Sequence, residues 1–188
     1  MGVWQEWLAE RAQARAAAGL VRRMVPRGPA DEVLDLAGND YLGLARHPRV
    51  IAAAQEATAR WGTGSGASRL VTGTLELHTQ LEAAIAQWLG TQSALVASTG
   101  YHANLAAVTA LADRDTLIVS DAHIHASLID AARLTRAEVI IAPHSDTAAV
   151  ERAVGGRRTG QRVLILTESV YSVLGDAAPL GTLAEVAP

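Results

Sequence analysis

The chain has 188 residues, a net charge of −3, 49% apolar residues and no cysteine. This is a globular composition without the basic block that a nucleic-acid binder carries, and it excludes disulfides, thiolate metal sites and cysteine nucleophiles. All sixteen basic residues are arginine, so no lysine is available for covalent catalysis. No apolar run approaches the ~18 residues of a membrane span. Glu6 and Glu10 interrupt the first apolar stretch, unlike a secretory leader. Glu6 also stands where a myristoylation signal needs Ser or Thr. A cytoplasmic protein with no membrane or nucleic-acid partner is expected.

Residues 3–18 read as an amphipathic helix anchored by Trp4, Trp7 and Leu8. Pro26 and Pro29 break the chain after it, and the alternation from Glu32 to Ala37 predicts a short strand. Pro48 suits a first helical turn, and that helix runs to Trp61 with Gly62 as its cap. The glycine-rich stretch Gly62–Gly73 comes next. Thr74 is then the expected N-cap of a helix through Leu89, with Leu77, Leu81, Ile85 and Trp88 turned inward. From there strands and helices alternate. Strands are expected at Ser93–Ser98, Thr116–Ser120, Glu138–Ala142 and Val163–Thr167. Helices are expected at Tyr101–Ala112, Ala126–Leu134, Thr147–Val154 and Leu180–Ala187. The later strands are short and nearly all apolar, which predicts an α/β fold with a mainly parallel sheet and helices on both faces. A further strand is expected after the last helix, and without one an open apolar sheet edge prone to aggregation.

Four motifs carry candidate chemistry. Gly62-Thr63-Gly64-Ser65-Gly66 has the glycines of a dinucleotide loop, but it comes after a helix instead of a strand and so fails that motif's context. Asp121-Ala122-His123-Ile124-His125 matches the Asp-x-His-x-His of metal-dependent amidohydrolases, yet only His144 comes after it and there is no lysine to be carboxylated. Ser98–Asn104 joins a strand to a helix, where free amides and the helix dipole suit an anion; an ordinary connecting loop has the same signature. Finally, Gly100, Asp121, His125, Glu168 and Ser172 all fall at strand ends, where open parallel sheets bind ligands.

Taken together, several segments are similar to one family. They are Asn39–Leu44 (NDYLGL), Gly64–Gly73 (GSGASRLVTG), Leu77-His78 with Leu81-Glu82, Thr99–Asn104, His125–Leu128 (HASL) and Thr167–Asp176 (TESVYSVLGD). In this order and spacing the chain resembles the α-oxoamine synthases. These are pyridoxal 5'-phosphate (PLP) enzymes whose large domain has the aspartate-aminotransferase-like, fold type I architecture. The resemblance implies an entry segment over residues 1–45 and the first part of the PLP-binding large domain over 46–188. It also implies a homodimer, whose active site the glycine-rich loop would serve.

The resemblance implies roles for single residues, position by position. The amides of Gly100 and Tyr101 hold the cofactor phosphate. His125 stacks on the pyridine ring and contacts substrate, as the catalytic residue within this chain. Ser172 bonds the ring's phenolic oxygen, Glu168 lies near the catalytic lysine, and Asn39 and Arg22 contact substrate. The branch it most resembles joins L-alanine to a pimeloyl thioester, carried by coenzyme A or a carrier protein, with loss of carbon dioxide. Branches that use glycine or serine, and a non-catalytic subunit of the same fold, remain as alternatives. Two departures stand out. Val21, not arginine, comes directly after Gly19-Leu20, so Arg22 is one residue displaced. The Schiff-base lysine, the pyridinium-binding aspartate and a second histidine of the family would lie beyond position 188, so the chain alone is expected to be inactive.

Overall fold

The computed structural model describes residues 2–29 and 33–187. Their contacts divide the chain into two units, Met1–Gly64 and Ser65–Pro188.

The first unit is helical. It contains α1 (Val3–Ala17), a single 3-10 turn at Leu44–Arg46 and α2 (Pro48–Trp61). Trp4, Trp7 and Leu8 do not anchor α1 in a core: all three are exposed. Instead Trp4 meets Trp7 edge-on at 5.8 Å, and the Arg11 guanidinium lies over the Trp7 ring at 5.4 Å. Of the strand expected at 32–37, Glu32 lies outside the described residues and 33–37 form no strand. Asp35 explains this, because its carboxylate accepts the Ala37 amide and the Arg27 guanidinium and so bends the chain. Asp40 bends the chain again a few residues later, accepting the amides of Leu44 and Ala45.

The second unit contains α3 (Glu76–Leu89), α4 (Gly100–Leu111), β1 (Thr116–Asp121), α5 (Ala126–Thr135), β2 (Glu138–Ala142), α6 (Thr147–Gly155), β3 (Arg162–Leu166) and α7 (Leu180–Val186). The three strands are parallel and ordered β2-β1-β3. β1 is the centre of the unit. Ile118 turns to one face and packs with Val108, Ile124, Ala131, Ala132 and Leu166 beneath α4 and α5. Leu117 and Val119 turn to the other face and pack with Ala142, Val150, Val154 and Leu183 beneath α6 and α7. Alternation along one strand thus builds two cores, the arrangement of a parallel sheet covered on both faces.

Three expectations differ here. Residues 93–98 form no strand, because no strand lies beside them among the described residues; the Val96 amide donates to the Glu82 carboxylate instead, at 2.9 Å. The N-cap of α3 is Leu75, not Thr74. His78 Nδ1 accepts the Leu75 amide, while the Thr74 hydroxyl is bonded to Arg69 O at 2.6 Å. Trp88 is exposed, as are Leu77 and Leu81, and Ala86 is the buried residue of α3. No described element of the unit covers that side of the helix.

Arg69 fixes the glycine-rich loop. Its guanidinium reaches Thr74 Oγ1, Val96 O and both oxygens of Glu82. A Cβ at Gly73 would lie 1.9 Å from Ala67 O, so only glycine allows the backbone to close on itself there.

Because Ile118 is fully buried, Ile118→Ala should cost about 2–5 kcal/mol in urea denaturation. Trp88→Ala, on an open face, should stay within about 0.5 kcal/mol of the parent. Equal costs would contradict the placement of the core on β1.

Candidate active site

The strand order reverses around β1. The β1–β2 connection through α5 runs to one side, and the β2–β3 connection through α6 returns past β1 to the other. Such a switch point opens a crevice beyond the carboxyl ends of β1 and β3. Three sequence-derived candidates meet there.

The first is the N-terminus of α4. Thr99 caps it, its hydroxyl accepting the His102 amide at 3.1 Å. The amides of Gly100 and Tyr101 precede any intrahelical acceptor, and no hydrogen bond among the described residues engages them. A Cβ at Gly100 would meet no atom within 4 Å, so no side chain crowds the first residue of α4. Two free donors at the positive end of a twelve-residue helix suit a phosphate or carboxylate.

The second is His125, the N-cap of α5. Its Nδ1 accepts the Ser127 amide at 3.1 Å and lies 2.7 Å from Ser127 Oγ. Asn104 Nδ2 donates to that same Oγ at 2.9 Å. A nitrogen that accepts an amide proton carries none itself. The chain from Asn104 through the fully buried Ser127 therefore holds His125 with its proton on Nε2. The Tyr101 ring stands edge-on to the imidazole with centroids 6.5 Å apart, which brings the α4 N-terminus beside His125. The Tyr101 hydroxyl donates to Asp130, and that bond raises its pKa above the usual phenol value.

The third is Glu168, half-buried two residues past β3, whose carboxylate accepts the His125 backbone amide. This bond bridges the crevice from the end of β3 to the start of α5.

Gly100, Tyr101, His125 and Glu168 are thus brought together. Ser172 sits exposed in a tight turn after Tyr171, and no hydrogen bond among the described residues joins it to His125. Arg22 and Asn39 are exposed residues of the Met1–Gly64 unit. The Asp-x-His-x-His run does not gather around one point: His123 meets His144 edge-on at 4.8 Å, while His125 turns to Ser127. Among the described residues, no three His, Asp or Glu side chains stand close enough together to hold a metal.

Motif reading passed over Ser127 as a functional residue, although it lies in the HASL segment; its spacing two residues after a strand-end histidine is the signal for an N-cap that fixes an imidazole. Ser127→Ala should remove the hydroxyl link and leave the Asn104 amide unpaired, a loss of about 1–3 kcal/mol. Because the backbone amide at position 127 still donates to Nδ1, nitrogen-15 shifts should show His125 remaining mainly Nε2–H in this variant. A change to mainly Nδ1–H would contradict the amide cap.

Residues 31–188 match the family described as Aminotransferase class I and II. The chain is 54% identical over 177 residues to the 8-amino-7-oxononanoate synthase of Mycolicibacterium gilvum (strain PYR-GCK), covering 94% of this chain and 46% of that relative. It therefore spans about half the length of the curated relatives it matches. Among solved structures, the serine palmitoyltransferase of S. paucimobilis with a bound PLP–myriocin aldimine superposes with a TM-score of 0.85 and 30% identity, over 99% of this chain and 52% of that one. The 8-amino-7-oxononanoate synthase of Francisella tularensis gives a TM-score of 0.67 and 28% identity, over 79% of this chain and 41% of its own. The parallel sheet with helices on both faces is the part of the PLP-enzyme fold these neighbours share with it.

Proposed function

The chain belongs to the class I and II aminotransferase family, and from that premise we propose that it is the first half of a PLP-dependent α-oxoamine synthase. Its substrates are L-alanine and a pimeloyl thioester, borne by coenzyme A or a carrier protein, which it condenses with loss of carbon dioxide to 8-amino-7-oxononanoate, a step of biotin biosynthesis. The observation that carries this reading is the meeting of two unengaged amides, a tautomer-fixed histidine and a carboxylate at one switch point.

Each group then has work to do. The Gly100 and Tyr101 amides hold the cofactor phosphate, with the α4 dipole favouring its charge. His125 faces the pyridine ring and presents Nε2–H to the substrate, as a donor whose direction Ser127 and Asn104 set. Glu168 holds the His125 backbone in place, and by the resemblance it would lie near the catalytic lysine. By the resemblance, Ser172 would bond the phenolic oxygen of the cofactor. PLP, when bound, supplies the electron sink that stabilises an amino-acid carbanion.

The chain has no lysine, so the covalent attachment of the cofactor comes from outside these residues. We therefore expect residues 46–188 to be the beginning of the large domain, the 188-residue chain alone not to turn over, and the complete protein to act as a homodimer in the cytoplasm. No described helix is long and apolar enough to cross a membrane.

The likeness to serine palmitoyltransferase supports a second reading, with serine as the amino acid. A test of the full gene product with alanine, glycine or serine, each with pimeloyl and palmitoyl thioesters, separates them. Carbon dioxide release with alanine and the pimeloyl thioester is expected. Turnover with serine or glycine alone would remove the alanine assignment.

A further inference from the structure

A second cluster stands beside the crevice, with His144 at its centre. His144 Nδ1 lies 2.9 Å from Asp121 Oδ1, and Nε2 lies 2.8 Å from Asp176 Oδ2. Carboxylates only accept, so both ring nitrogens must donate, and only the imidazolium donates from both. The ring is also packed edge-on against Tyr171 at 4.5 Å and His123 at 4.8 Å. These four residues are the titratable groups that face it: Asp121 and His123 from the end of β1, and Tyr171 and Asp176 from the loop after β3.

That loop, Thr167–Asp176, carries Glu168 and Ser172. Most of its backbone bonds are internal. Tyr171 N donates to Asp176 O, Gly175 N to Tyr171 O, and Ala178 N to Ser169 O. It is tied outward by the Glu168 carboxylate on the His125 amide, the buried Tyr171 ring and the Asp176–His144 bond. On the opposite side, Asp121 also accepts the amide of Ser145, at 2.7 Å. Ser145 adopts the left-handed φ of 56°, which a non-glycine residue holds only when its surroundings impose it.

We propose that His144 is a positioning residue: as an imidazolium gripping Asp121 and Asp176 at once, it fastens the Thr167–Asp176 loop to the ends of β1 and β2. That the fastened loop serves PLP rests on the function proposed above; the fastening does not. The two grips are unequal. The Asp121 side chain is 9% exposed and the Asp176 side chain 46%. A neutral ring keeps one donor. Water can replace the lost bond at the half-exposed Asp176 but reaches the buried Asp121 poorly, so the remaining donor stays with Asp121. Deprotonation therefore releases the loop at Asp176. The bonds to Asp121 and then Asp176 raise the His144 pKa above its ordinary value. The grip is thus fully present below the unfolded value and is lost as pH rises through the folded one.

The test uses hydrogen exchange in the full gene product, with the wild type beside Asp176→Asn and His144→Gln. Asp176 is half-exposed, so Asp176→Asn should fold even if His144→Gln does not. Loss of one charge-assisted bond should speed exchange of the 168–177 peptide by about tenfold or more, with the α2 peptide unchanged. In the wild type the same acceleration, corrected for intrinsic base catalysis, should appear as pH rises through the His144 titration, and Asp176→Asn should abolish that pH dependence. PLP affinity, measured by titration, should fall alongside. Loop exchange identical in wild type and Asp176→Asn would overturn the clamp, whatever the cofactor does. A loosened loop in Asp176→Asn, with no PLP binding even by the wild type, would support the clamp and retire the cofactor reading instead.

Discussion

The carboxyl-terminal edge of the sheet depends on one carboxylate, Asp121, at the end of the most buried strand. It accepts the His123 amide, the Ser145 amide and His144 Nδ1. Burial raises its pKa, but the bonds from His144, Ser145, His123 and Tyr171 outweigh this and hold it below the ordinary value. The charged form is therefore the structural one, present above the unfolded pKa and lost as pH falls through the folded pKa. Through it the turns after β1 and β2 become a single surface, from which the α5 cap and the β3 loop are hung.

The rest of the crevice is set by the two layers around β1. Ile118 commits one face to α4 and α5, while Leu117 and Val119 commit the other to α6 and α7. A strand buried on both sides leaves its polar residues to its end. There, helix starts supply unsatisfied amides, and the reversal of strand order opens space. The polar groups are consequently held by close-packed apolar layers, which is how a ligand-binding site keeps its geometry.

Much of this was legible in the sequence. Thr116–Ser120, Glu138–Ala142 and Val163–Thr167 are apolar runs of strand length, and each became a strand within a residue of its expected bounds. These runs succeed because one dense contact set decides them. Val33–Ala37 and Ser93–Ser98 have similar local patterns but no neighbouring strand among the described residues, and a strand exists only in a ladder. Thr74 lost the cap of α3 because Arg69 took its hydroxyl from five residues away. Trp88 has the spacing of an inward residue, but periodicity says only where a face points, not what covers it. His125 was a candidate from its place at a strand end and from the family resemblance. The clamp was not, since the partners of His144 lie 23 and 32 residues away.

The central claim is that the amides of Gly100 and Tyr101 and the ring of His125 form one cofactor-sized site. Its most direct test is an amide and imidazole NMR titration of the full gene product with PLP. The Gly100 and Tyr101 amide signals and the His125 ring should shift together, with one saturation curve, and inorganic phosphate should shift the two amides alone. Saturable cofactor binding that leaves Gly100, Tyr101 and His125 unmoved would contradict it.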